Sequence, residues 1–83
     1  MQEREFLALD RVQRIDVLRN IGEYLGSRPY GSHRVHLYRM EGYFCEVWIR
    51  LGYGGVEWVE VARDTDILAE YVTIDPGSLL ERS

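Results

Sequence analysis

Few residues of this 83-residue chain have the type and spacing to do chemistry. Cys45 is the one cysteine, and it stands between Phe44 and Glu46 in an alternating stretch that turns it towards the apolar side. A nucleophilic thiol needs a nearby base and some exposure. Neither is offered here, so Cys45 reads as a small buried hydrophobe. His33 and His36 are three residues apart, and an extended chain points them to opposite faces, which rules out joint ligation of one metal there. Glu46 and Arg50 share a strand face but lie about 13 Å apart. Glu46, set among aromatics, is the carboxylate whose pKa a fold could perturb, although a cross-strand arginine is the commoner partner for such a residue. Asp64 and Asp66 suit the start of a helix. Gly52–Gly55 lacks the Gly-Lys-Ser/Thr and the helix that must follow in a phosphate loop. No nucleophile, base and oxyanion donor come together. The expectation is therefore a protein that is not an enzyme, with no catalytic residue, no cofactor and no metal.

What the sequence offers instead is a surface. In the stretch Tyr43 to Leu51, strand alternation sets Tyr43, Cys45, Val47, Ile49 and Leu51 on one face and Phe44, Glu46, Trp48 and Arg50 on the other. The first set is apolar and should meet a helix. The second mixes large aromatics with opposite charges, a pattern of neither an ordinary solvated face nor an ordinary core. If the glycine-rich turn carries a bulge, Val59 and Val61 lie beneath Ile49 and Val47, and Trp58 and Glu60 join Trp48. A regular four-residue loop would instead set Arg50 opposite Glu57. A one-residue slip flips every side chain, and the bulged version is preferred because it keeps valines inside. The Glu41-Gly42 turn leaves a similar choice between Tyr38 with Met40, and Val35 with Leu37, as the inward pair.

These side chains need elements to hold them. Asp10 to Gly22 reads as an amphipathic helix with Val12, Ile15, Leu18 and Ile21 as its apolar stripe. Asp10 is its N-cap, and Gly22 suits a left-handed position past its end. Phe6, Leu7 and Leu9 either extend this helix or form an apolar arm over residues 1–9. Glu23–Arg28 reads as a short strand and Pro29–Ser32 as its turn. Clearer strands follow at Arg34–Met40, Tyr43–Leu51 and Val56–Arg63, joined by short glycine-containing turns that force antiparallel neighbours. A short helix then places Ile67, Leu68, Tyr71 and Val72 on one side. Asp75–Ser78 is a turn signal, and Leu79-Leu80 tucks back within a tail over 76–83. The expected fold is one α+β domain, an N-terminal helix packed on a three- or four-stranded antiparallel meander with a short C-terminal helix.

Composition narrows the partners. Ten arginines and no lysine stand against fourteen carboxylates, for a formal charge of −4. That balance argues against a nucleic-acid backbone binder and excludes lysine Schiff-base chemistry. An acidic decoy of a nucleic-acid-binding protein would need carboxylates gathered on one face, and these are spread along the chain. No apolar run approaches the roughly 18 residues of a membrane span. The charged N-terminus lacks a signal-peptide core, and one cysteine fits a reducing compartment, so a cytoplasmic location is expected.

The stretch Leu37 to Leu51 resembles a group of short uncharacterised bacterial proteins, through Arg28 and Tyr30, Leu37-Tyr38 and Gly42-Tyr43-Phe44-Cys45-Glu46-Val47-Trp48. The resemblance spans about residues 10–75. It implies a compact α+β domain and lends no activity.

An uncovered face bearing Phe44, Trp48 and Trp58 would expose on the order of several hundred Å² of apolar surface, the size that marks an interface. Trp, Phe, Tyr and Arg are enriched at interface centres. The leading expectation is a protein-interaction or self-association module, a homodimer or a complex with a protein partner, using Phe44, Glu46, Trp48, Arg50 and Trp58. An intramolecular cover is the second possibility. A small-molecule or peptide sensor using the same face as a shallow groove is the third.

Overall fold

The computed structural model describes residues 1–52, 54–63, 66 and 68–72. Two helices, α1 (Glu3–Leu7) and α2 (Arg11–Ile21), precede four strands, β1 (Glu23–Tyr30), β2 (His33–Met40), β3 (Tyr43–Arg50) and β4 (Val56–Val61). A short helical segment, α3 (Leu68–Val72), follows. The strands form one antiparallel meander in the order β1-β2-β3-β4. The fold class is α+β.

Local chemistry explains the joints. The Asp10 carboxylate accepts the Gln13 N–H at 2.8 Å, and the Gln13 side chain accepts the Asp10 N–H at 3.0 Å, a reciprocal cap that starts α2. Phe6, Leu7 and Leu9 do not extend α2. Phe6 and Leu7 belong to a separate short helix that drops Phe6 into the core, with no exposed area. Gly22 does not take the expected left-handed conformation. Its backbone is extended, with φ −78° and ψ 149°, because β1 begins at the next residue. Glycine is needed for space instead, since a Cβ would lie 2.7 Å from the Leu18 carbonyl oxygen. Pro29 falls inside β1 rather than in a turn. β1 is an edge strand, where a missing N–H does least harm.

The apolar stripe of α2 is displaced from the expected one. Leu18 is buried, and Ile15 and Val17 pack against the core, but Val12 and Ile21 point to solvent. Arg14 takes the inward position that periodicity assigned to carbon. Its guanidinium donates to the carbonyls of Leu9 (3.0 Å), Leu7 (3.0 Å) and Val59 (2.8 Å) and lies 5.5 Å from the centre of the Phe6 ring. One planar fork thus ties α1, α2 and β4 together, which an ammonium on a flexible stem cannot do.

Alternation builds two apolar layers. On the helix side, Phe6 and Leu18 meet Met40, Tyr43, Cys45, Val47, Val59 and Val61. On the other side, Val35 and Leu37 are buried with Tyr71, and Phe44, Trp48 and Leu68 pack around them. The two candidate inward pairs of β2 are therefore both used: Tyr38 and Met40 belong to the helix side, Val35 and Leu37 to the outer side. Between β3 and β4 the register shifts at Trp48/Ile49, so the bulge is present and Trp58 lies directly opposite Trp48. Val59 and Val61 face Val47 and Cys45, one pleat further along β3 than expected. Leu51 lies past the strand end and is exposed. Asp64, Ile67, the Asp75–Ser78 turn and Leu79-Leu80 fall outside the described residues.

Replacing Arg14 with Lys should lower unfolding stability by about 2–4 kcal/mol, because at most one of three charge-assisted hydrogen bonds survives. Urea denaturation checks it; an unchanged midpoint would refute the clamp.

Candidate functional site

The outer face of the sheet gathers the side chains singled out in β3, but not as one open surface. Strand pairing sets Phe44, Glu46, Trp48 and Arg50 in register with Arg39, Leu37, Val35 and His33 of β2. α3 packs beside β1, and its Tyr71 and Leu68 cover Val35 and Leu37 of this face.

Beneath α3 is a buried polar cluster. Glu46 keeps 2% of its surface and Arg28 of β1 keeps 5%. Their side chains meet at 3.1 Å, and the Tyr71 hydroxyl donates to the same Glu46 oxygen at 2.7 Å. The Arg28 guanidinium sits 5.3 Å from the Tyr30 ring centre, 5.4 Å from that of Tyr71 and 5.8 Å from that of Trp48. Such an aromatic surround favours a cation once water has gone. Burial pushes the Arg28 guanidinium down, but hydrogen bonds with Tyr71 and Glu46 outweigh it and leave its pKa raised. The Tyr71 hydroxyl is pushed up by burial and by its hydrogen bond to Glu46. Glu46 thus has the arginine partner the sequence suggested, but from β1 rather than the adjacent strand, and it lies inside the molecule rather than on a contact surface.

Beyond α3 the face is open. Trp58 keeps 52% of its surface and Tyr30 keeps 58%, with the partly buried Trp48 between them. Tyr30 meets Trp48 edge-on at 5.3 Å, and His33 meets Trp48 edge-on at 5.6 Å. Glu60 holds both indoles: Trp48 donates to one carboxylate oxygen and Trp58 to the other, each at 3.2 Å. A charged rim closes the end of the sheet. Glu57 accepts from Arg50 at 2.6 Å and pairs with His33 at 2.6 Å. The hydrogen bond from His33 does most to hold the Glu57 carboxyl below its usual range; burial opposes it, and the charge of Arg50 adds a lesser pull in the same direction as His33. The sequence treated the Arg50–Glu57 pair and the bulge as alternatives. The structure has both, because the bulge swings Glu57 towards the rim.

Of the expected face, Trp48 and Trp58 stand side by side, Arg50 is at the rim, Phe44 packs under α3 and Glu46 is interior. Glu60 was placed beside Trp48 and Trp58 by the bulged register, whereas Tyr30, His33 and Glu57 were not singled out as part of the face. Period-two alternation with the bulge reached Glu60 but not Tyr30 and His33, which belong to a strand and a turn that were placed differently.

Elsewhere, Cys45 is fully buried and free, and burial pushes its thiol up to about 12. His33 and His36 occupy opposite faces, and His36 pairs with the Tyr24 hydroxyl at 2.9 Å. Among the described residues no group of three metal-ligating side chains occurs, and no helix is long and apolar enough to cross a membrane. Comparison with known proteins finds no matching family, no matching curated protein and no matching solved structure.

Two outcomes follow from this geometry. Glu46→Ala, which strands the buried Arg28 charge, should cost about 3–5 kcal/mol. Tyr71→Phe, which removes one hydrogen bond to a carboxylate, should cost about 2 kcal/mol. Equal, small losses in chemical denaturation would show the cluster to be solvated. The Cys45 thiol should resist a disulfide reagent at pH 8 in the native protein and react once it is unfolded. Its raised pKa stabilises the fold fully below the ordinary value of 9.0. As pH rises towards 12 the unfolded chain ionises first, and stability at alkaline pH should fall more steeply than in Cys45→Ala.

Proposed function

We propose that this chain is a protein-interaction module, acting by binding rather than catalysis, and that its contact surface is the open end of the outer sheet face. Trp58, Trp48 and Tyr30 form the apolar centre, and Arg50, Glu57 and His33 form the rim. The observation that carries this reading is the exposed Trp58, fixed by the same Glu60 carboxylate that holds its cross-strand neighbour Trp48. An exposed tryptophan is costly in water. One already oriented by a hydrogen bond loses little side-chain entropy when a partner covers it. Aromatic centres with a charged rim are the anatomy of interface hot spots.

A second copy of the chain is the partner this reading puts first, because an 83-residue domain buries a smaller fraction of its surface than a larger one and gains more from a shared face. The short C-terminal helix belongs to the same reading. It covers Val35, Leu37 and Glu46 and so confines the contact to Trp58, Trp48 and Tyr30. Arg50 sets orientation at the rim rather than anchoring the centre, and Phe44 supports from beneath. The reading assumes a cytoplasmic protein, consistent with its unpaired thiol. A peptide or small-molecule groove on this same face is less favoured, since Tyr71 and Leu68 of α3 cover part of it.

Light scattering across a concentration series tests the proposal. The wild-type chain should dimerise, with a melting temperature that rises with concentration. Trp58→Arg should weaken the dimer by about tenfold or more, as expected for a hot-spot residue, and leave the melting temperature at the lowest concentration unchanged. A wild-type chain that is monomeric throughout would remove self-association from this reading. A dimer indifferent to Trp58→Arg would move the interface elsewhere.

A further inference from the structure

On the opposite face of the sheet, α2 does not close against every strand. A groove of about 340 Å³ opens between its Ile15, Leu18 and Arg19 and the sheet residues His36, Tyr38, Val47, Ile49 and Val56. Its volume is at the lower end of the range for small-molecule sites. Its lining is mainly aliphatic, and Arg19, His36 and Tyr38 are its polar side chains.

The one charged side chain in that lining, Arg19, is basic in a chain whose net charge is −4. Arg19 is exposed and has no hydrogen-bond or ion-pair partner among the described residues. Arg34 lies on the same face of β2 as His36, its side chain donating to the Ser27 hydroxyl at 3.2 Å. It is close enough for its charge to lower the His36 pKa, an effect second to burial. In the tautomer whose Nδ1 accepts from the Tyr24 phenol, the neutral His36 ring carries its proton on Nε2, as a donor. The groove therefore pairs an apolar trough with the Arg19 guanidinium and the His36 imidazole, with the charge of Arg34 close by. A carboxylate headgroup complements that set, and a cation does not.

We infer that the groove between α2 and the sheet binds a small amphiphilic carboxylate, its apolar chain or ring lying against Val47, Ile49 and Val56 and its carboxylate meeting Arg19 and His36. The site is separate from the Trp58 surface and lies on the other side of the sheet. Its failure would leave the interaction module standing, and the reverse also holds.

The test is amide chemical-shift mapping on the full chain, titrated with octanoate and separately with uncharged 1-octanol. Octanoate should give saturable shifts along α2 from Ile15 to Arg19, at His36 and Tyr38, and at Val47 and Ile49. It should bind about tenfold more tightly than 1-octanol, the margin a charge-assisted hydrogen bond supplies. Arg19→Gln, an exposed change that should not disturb folding, should erase that margin and leave 1-octanol binding as it was. Trp58→Arg should alter neither. Equal binding of the acid and the alcohol would overturn the proposal, as would octanoate shifts centred on Trp48 and Trp58. Groove amides that move on dilution without ligand would show that a second copy occupies the groove, and would also overturn it.

Discussion

Burying Arg28 and Glu46 together costs several kcal/mol of hydration per ion, and the outer face of the sheet is organised to offset it. The two side chains come from β1 and β3 and meet over the strand between them. Three aromatic rings surround the guanidinium, and the Tyr71 hydroxyl supplies a further donor to the carboxylate. Tyr71 is also one of the buried apolar residues of that face. α3 is therefore fixed by one polar bond and by its packing, and neither can slide without exposing a charge. Which half of the sheet is covered follows from where this pair lies. The open half is what remains.

The same logic governs Trp58. Its indole is held by Glu60 and its neighbour Trp48 is half sunk beside α3, so an exposed aromatic is presented on a rigid base rather than on a mobile loop. The rim at Glu57 depends on the bulge between β3 and β4. A regular ladder would bring Arg50 and Glu57 together and turn the valines of β4 outward. Adding one residue to β4 keeps Val59 and Val61 in the helix-side core and still lets Glu57 reach Arg50 and His33. A single irregularity thus serves both layers.

Much of this was legible from period-two alternation alone. Phe44, Glu46, Trp48 and Arg50 had to share a face, the valines of β4 selected the bulge, and short glycine turns forced a meander; Gly42, at φ 89°, shows why glycine stands there. Three things were not legible, each because the deciding partner is distant in sequence. Arg14 was given no part in the stripe of α2, yet it turns inward, because three carbonyls from α1, its junction with α2, and β4 converge on it. Nothing local marks that convergence, and it displaced Val12 and Ile21 to solvent. Glu46 finds its arginine two strands away, where pairing rules between neighbours do not reach. Gly22 was assigned to backbone conformation, whereas the structure needs it for clearance against Leu18.

The two open regions share an origin in size. One helix of eleven residues, helped by one of five, must cover the inner face of a sheet whose first three strands each run for eight. Arg14 anchors that helix layer to β4, at one edge of the sheet, and the layer leaves a trough beside His36 and Tyr38 that runs past Val47, Ile49 and Val56. On the other face, the Arg28–Glu46 pair holds Tyr71 of α3, and Trp58, farther along, stays exposed. Each anchor is a guanidinium, and each sets what lies open as firmly as what it holds down. In a chain with arginine as its only strong base, the residues that solve the packing problem also determine where the surface is left available for binding.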